Sequence, residues 1–318
     1  MKSTRTMVET SLLVALSVVL FLASHFLPVV GIIISFFCPV PLVILGLKVP
    51  VQNAFTGAFL AFVLTTFVMG LLGGFFFLFG FALMGVSLGV LGRRFEKVSD
   101  ILSYGFLVSL SCKLVLMALV KLLTGMNPFA IDPDTLMESF SNAMGVLSGS
   151  HGEAFLETMR MQVEAMSRIM VHILPAILIA ASFLDCVISY VISEKIARRF
   201  RIVFLPGMPP LGEWRFPKST LFAFFIALVL SFFGRSGNNI GVLYVVGLNL
   251  KVISMMLFLI QGLATVWYLL SKLLKQNMKR WVGILVVVMV IFVPILSMVV
   301  IMLGFLDILV DLRSKFRR

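Results

Sequence analysis

Charge is scarce in this sequence. Asp, Glu, Lys and Arg make up 13% of its 318 residues, against roughly a quarter in soluble proteins. With a mean hydropathy of +1.12, that shortage excludes an ordinary soluble domain. Histidine and cysteine are equally sparse, three of each. Cys38, Cys112 and Cys186 fall inside apolar segments with no disulfide or metal-ligand spacing, so they read as small hydrophobes. No phosphate-cradling loop, zinc-protease helix or nucleophile elbow is present. "GRSGNNIG" has glycines but neither a following Lys-Ser/Thr nor a preceding strand. The chain is therefore expected to be no enzyme and to carry no metal or cofactor. Any transport would draw on an ion gradient or a separate ATPase or coupling subunit. Lys2 and Arg5 precede the first apolar run, but no small-residue cleavage site closes it. That run reads as a retained first helix rather than a signal peptide.

Long apolar runs are what the sequence has instead. A bilayer core of ~30 Å takes ~20 apolar helical residues to cross. Such runs recur at about 7–27, 29–47, 51–70, 72–92, 101–123, 169–193, 219–234, 241–270 and 281–305. The expected fold is an all-α polytopic bundle of about nine spans, in the range of eight to ten. Short alternating strands, the mark of a membrane barrel, are missing.

The net charge of +12 reads as loop charge rather than as a nucleic-acid surface, because cytoplasmic loops concentrate Lys and Arg. Sixteen basic residues fall in the N-terminal tail, the Lys48 turn, the "GRRFEKVSD" loop, the joint near 195–218 and the 272–280 loop. The alternate connections hold three, Arg160, Arg168 and Arg235. This asymmetry places the N-terminus in the cytoplasm. Nine crossings would leave the basic tail "RSKFRR" outside, unless Pro294 folds the last segment into a hairpin. That orientation stays open.

The long exterior segment, 124–168, carries six of the fourteen acidic residues. Asp132 and Pro133 look like a helix start. Phe155, Met159, Val163, Met166 and Met170 recur at helical spacing and run into the sixth span. The segment reads either as a surface helix or as a lid over an outward cavity. Its methionines, Met126, Met137, Met144, Met159, Met161 and Met166, read as packing residues rather than as copper ligands.

Ionisable groups inside spans are costly and mark candidate sites. Lys113, Asp185 and Lys251 are three. Counting rise along the expected helices puts Lys113 ~18 Å and Asp185 ~11 Å from the cytoplasmic end. Helical side chains lean toward their own N-terminus. Lys113 therefore leans inward and Asp185 outward, which predicts an ion pair or a shared polar pocket. "CPVP" places Pro39 and Pro41 in the second span, where lost backbone donors force a break. Irregular backbone at membrane depth needs a protein or cavity neighbour, so these prolines are a candidate site wall. Gly85 with Gly89, and Ser11 with Ala15, form small-xxx-small pairs that let helices approach closely.

"GMPPLGEWRFPKS" interrupts the apolar chain and divides it into three parts. These are a six-helix core over 1–195, a basic, Pro-rich joint over 196–218 and a C-terminal unit over 219–318. Within the joint, "PPLGEWRFP" with Trp214 and Pro217 resembles the YybS-like family of bacterial membrane proteins, whose function is unassigned. Further matching positions are Asn249, Gln261 and Gly262 of "QGL", and the ending "LGFLDILVDLR" with Gly304, Asp307, Asp311 and Arg313. The six N-terminal helices resemble the substrate-binding S-component of energy-coupling-factor transporters, through "MVETSLLVALSVVL", the uncharged "FLPVVG" turn and a proline-bearing second helix. That resemblance implies an outward-facing solute site, a lid in 124–168, and contact of Ser11 and Ala15 with a coupling subunit. Three extra helices after residue 218 depart from it. Two functions are thus expected to compete. One is binding, and transport, of a small solute involving Pro39, Pro41, Lys113 and Asp185. The other is a non-enzymatic scaffold acting through basic loops on a protein partner or anionic lipid.

Overall fold

The computed structural model describes residues 2–27, 30–125, 153–201, 205–236, 239–274 and 276–315. The chain forms two compact units. One comprises Met1–Pro128 with Leu178–Met208, the other Phe129–Ile177 with Pro209–Arg318. Part of the long helix Glu153–Arg199 belongs to each. The fold is helical, and among the described residues the one strand pair is a two-residue ladder, Arg235–Ser236 with Asn239–Ile240.

In the first unit, α1 (Lys2–Phe26) is followed by a broken crossing made of α2 (Val30–Ser35) and α3 (Val40–Lys48). Tight turns replace the helix between them, with Phe37 N–H donating to Ile34 O at 2.9 Å and Cys38 N–H to Ser35 O at 3.2 Å. Pro39 precedes α3 and Pro41 lies in its first turn, where a missing N–H does least harm. Ser17 Oγ donates to the Cys38 carbonyl at 2.6 Å, so the break is supported from α1.

The stretch α4 (Val51–Phe77) contains Gly70 at φ 76, ψ 175. The rings of Phe62 and Phe75 meet at a tilt with centroids 5.2 Å apart; thirteen residues of straight helix would separate them by ~20 Å. The chain reverses at Gly70, where only glycine adopts that backbone readily. A π-helical turn, Leu78–Ala82, then leads into α5 (Leu83–Arg94). Against α3, a Cβ on Gly89 would overlap the Val43 carbonyl, and one on Gly85 would lie 2.8 Å from the Pro39 carbonyl. The Gly85–Gly89 pair thus brings two backbones together. Val14, Leu42, Leu45, Ala58 and Phe77 form the adjoining apolar core. The unit is completed by α6 (Val98–Thr124) and the later part of α7 (Glu153–Arg199). Glu9 pairs with Lys48 at 3.1 Å, and Arg93 Nη1 donates to Val49 O at 2.6 Å. The start of α1, the end of α3 and the end of α5 therefore share one end.

The second unit holds the earlier part of α7, a short turn at Leu211–Glu213, α8 (Ser219–Phe233), α9 (Val242–Leu273), α10 (Gln276–Phe292), α11 (Pro294–Val310) and the short α12 (Leu312–Lys315). The rings of Phe224, Phe258 and Phe305 meet edge to face, with centroids 5.4–6.3 Å apart. A Cβ on Gly262 would overlap the Val300 carbonyl, and one on Gly304 the Phe258 carbonyl. Two glycines thus set the closeness of α9 and α11.

Six described helices are long and apolar enough to cross a membrane, and seven if the bent α10–α11 pair counts as one span. About nine were expected. The difference has physical causes. Val51–Arg94 counts as one of the six, yet it doubles back at Gly70, so the expected runs 51–70 and 72–92 remain two passes within it. Ser219–Phe233 has only 15 residues, ~22 Å at helical rise. The last segment bends by 108° before Pro294, as the proline suggested. The expected helix start at Asp132–Pro133, and the middle of the 124–168 segment, lie outside the described residues. From Glu153 the chain is helical and continues without interruption into the sixth span.

Candidate functional site

Lys113 and Asp185 meet. Lys113 Nζ lies 2.8 Å from Asp185 Oδ2 and donates to Ser109 Oγ, one turn earlier on α6, at 2.9 Å. The depth difference expected from the sequence disappears because the helices are longer than the apolar runs. From the start of α6 at Val98, Lys113 lies ~22 Å along. From the end of α7 at Arg199, Asp185 lies ~21 Å back. The lysine side chain is 15% exposed and the aspartate 37%, so the pair is sheltered but open on the carboxylate side.

The pair faces a cavity of about 260 Å³, just below the ~300 Å³ at which small-molecule sites begin. Its walls come from three places. Ser35, Phe36 and Pro39 line it from the break between α2 and α3. Phe76, Gly80, Phe81 and Met84 line it from the π-helical turn and its neighbours. Lys113, Leu116, Asp185 and Ser189 line it from α6 and α7. Two departures from regular helix thus border one hollow, as expected where irregular backbone persists at membrane depth. Around Gly80 a Cβ would meet nothing within 4 Å, so its missing side chain is part of the space. Pro41 is buried within α3 and is not among the lining residues. Ser109, Ser35, Ser189 and the aromatic lining were not singled out from the sequence. The one visible signal was a glycine inside "GFFFLFGFA".

The second unit carries a separate buried polar network. Arg313 Nε donates to Asp307 Oδ2 at 2.9 Å, with side chains 2% and 3% exposed. Gln261 Nε2 donates to the same oxygen at 2.6 Å. Arg313 Nη1 donates to the Gly212 carbonyl at 2.6 Å, and Phe216 N–H donates to Gln261 Oε1 at 3.0 Å. Arg215 pairs with Asp311 at 3.1 Å, and Asp311 itself sits in the left-handed region, φ 49. The polar joint is thereby tied to α9 and to the end of α11. Positions far apart in the sequence prove to be one cluster.

A family model described as "Predicted membrane protein (DUF2232)" matches residues 15–308. The chain belongs to this family. It is also 26% identical, over the full length of both chains, to the uncharacterized protein YybS of Bacillus subtilis (strain 168). No solved structure matches it. In this DUF2232 chain, the positions marked by the sequence resemblance sort by role. Gln261, Asp307, Asp311 and Arg313 build the network, while Gly262 and Gly304 set helix contact. Trp214 Nε1 donates to Pro209 O at 3.0 Å, closing the joint on itself. The Pro217 carbonyl accepts from Thr220 N–H at 3.1 Å as α8 begins.

Asn249 hydrogen-bonds between helices, the ordinary role of an amide inside a membrane span. Its Oδ1 accepts from Ala176 N–H at 2.8 Å, and its Nδ2 donates to the His172 carbonyl at 2.6 Å. Those two backbone groups are the donor and acceptor of one turn of α7, beside Pro175. The amide of Asn249 is inserted between them and satisfies both. Lys251, on the same helix, is half-buried. Ser11 and Ala15 lie on the exposed side of α1, with Ser11 Oγ bonded to its own helix at Met7 O, 3.0 Å.

Proposed function

We propose that this membrane protein binds a small solute in the Lys113–Asp185 cavity and moves it across a bacterial inner membrane, without catalysing a reaction. The observation that carries the reading is the convergence of a half-buried ion pair and two backbone irregularities on one hollow. Ion pairs at this depth are costly and are kept mainly where they serve a pathway or site. The S-component resemblance gives the same role to the N-terminal helices. Under it, the exposed Ser11–Ala15 face of α1 receives a separate coupling or ATPase subunit. The N-terminus lies in the cytoplasm, since the basic loops gather with it.

The test is recovery of bound solute. Wild-type protein and Gly80→Phe, which fills the cavity, are purified from native membrane and analysed by mass spectrometry. A small molecule present in the first and lost from the second is expected. The same solute in both, or none in either, removes the cavity as a binding site.

A second reading is favoured by a different observation. Arg93, Arg94, Lys97, Lys195, Arg198, Arg199 and Arg201 are exposed, all in the first unit. Such a surface suits a scaffold that holds an acidic protein partner or anionic lipid. Neutralising these residues would then abolish partner recovery and leave solute binding intact.

A further inference from the structure

The polar wall of the cavity is electrically balanced, and this points to the charge type of its ligand. Lys113 and Asp185 contribute one positive and one negative group, and among the described residues no other ionisable side chain lines the space. Both members retain hydrogen-bonding capacity. An ammonium has three donors, and Ser109 and Asp185 take two of them. A carboxylate offers about four acceptor positions, and Lys113 takes one. The remaining walls are aromatic and aliphatic, with the rings of Phe36, Phe76 and Phe81. At ~30 Å³ per water, the hollow has the volume of about nine waters, the scale of a one-ring solute.

A singly charged solute here would leave one charge uncompensated in a poorly solvating site, which is costly. A solute with both charges would lie beside the pair in reverse order, carboxylate on Lys113 and ammonium on Asp185. Its apolar body would then rest among the phenylalanines. We infer that the cavity takes a small zwitterion with an apolar or aromatic side group. This inference rests on the cavity reading above and adds its substrate class.

Three probes with one common ring separate the possibilities: L-phenylalanine, phenethylamine and 3-phenylpropanoate. Binding is measured by calorimetry on full-length protein in nanodiscs of zwitterionic lipid. The wild type is expected to bind L-phenylalanine at least tenfold more tightly than either single ion. Lys113→Met should turn the preference toward phenethylamine, and Asp185→Asn toward 3-phenylpropanoate. If a single variant does not fold, the exchanged pair Lys113→Asp with Asp185→Lys tests the same point, since it should keep L-phenylalanine preferred. Preference of the wild type for either single ion overturns the inference. So does an unchanged ranking in the folded charge variants, or binding of none of the three. The cavity reading fails separately, when solute recovered from native membrane is indifferent to Gly80→Phe.

Discussion

Replacing Arg313 by methionine should be among the most damaging single changes in the second unit. Methionine keeps the aliphatic bulk and removes the guanidinium. Asp307 then stays 3% exposed with its cationic partner gone, and only the Gln261 amide and the Arg313 backbone N–H still reach it, at 2.6 and 3.3 Å. The Gly212 carbonyl also loses its donor. Breaking a buried pair from one side costs about 3–5 kcal/mol, because a charge is left uncompensated. Removing both charges costs far less, since the desolvation penalty goes with them. Arg313 Nη2 is itself buried without a hydrogen-bond partner among the described residues, so the native pair is not fully satisfied. The double variant Asp307→Leu/Arg313→Met should therefore be less destabilised than either single variant. It should still lose about 1–2 kcal/mol, for the bonds to Gly212 and Gln261. The assay is a double-mutant cycle on unfolding free energy in mild detergent. Protease cleavage in the 207–218 joint provides a second readout, because Gly212 is anchored by Arg313. Additive single effects, or singles costing under about 1 kcal/mol, would refute the reasoning.

Four further outcomes are expected. Lys113→Ala and Asp185→Ala should be non-additive in stability and in solute binding, since either leaves the other partly buried group unpaired; additive losses in such a cycle would argue against coupling. Asn249→Ala should cost about 1–3 kcal/mol, for two hydrogen bonds to the backbone of α7, and faster hydrogen exchange at Ala176 is the local check. Gly304→Ala should sharply reduce folded yield on size exclusion, because its Cβ overlaps the Phe258 carbonyl. Gly80→Ala, with nothing within 4 Å, should be tolerated and gain up to about 1 kcal/mol of helix propensity.

Much of this architecture is local and so was legible in the chain alone. Hydropathy marks where helix can enter lipid, because every buried backbone group must be paired within the segment. Pro39 and Pro41 announced a break, because a missing N–H acts where it stands. Lys113 and Asp185 stood out because charge is rare in such runs, and lean along the helix axis already brought them toward one another. Span number was less legible. A 15-residue α8 looks in sequence like an ordinary crossing.

Only the tertiary structure decided what the polar residues share. Asn249 reaches backbone 73 and 77 residues away, and Arg313 reaches Gly212 across 101. No periodicity encodes such pairings, because they depend on which helix faces lie together. The cavity is of the same kind. Its charges are written on α6 and α7, but its volume is the space left by a broken second crossing, a π-helical turn and the absent side chain of Gly80. Composition and pattern determined that this chain enters a membrane and that its second crossing breaks. Packing determined that this break and a π-helical turn border one ion pair.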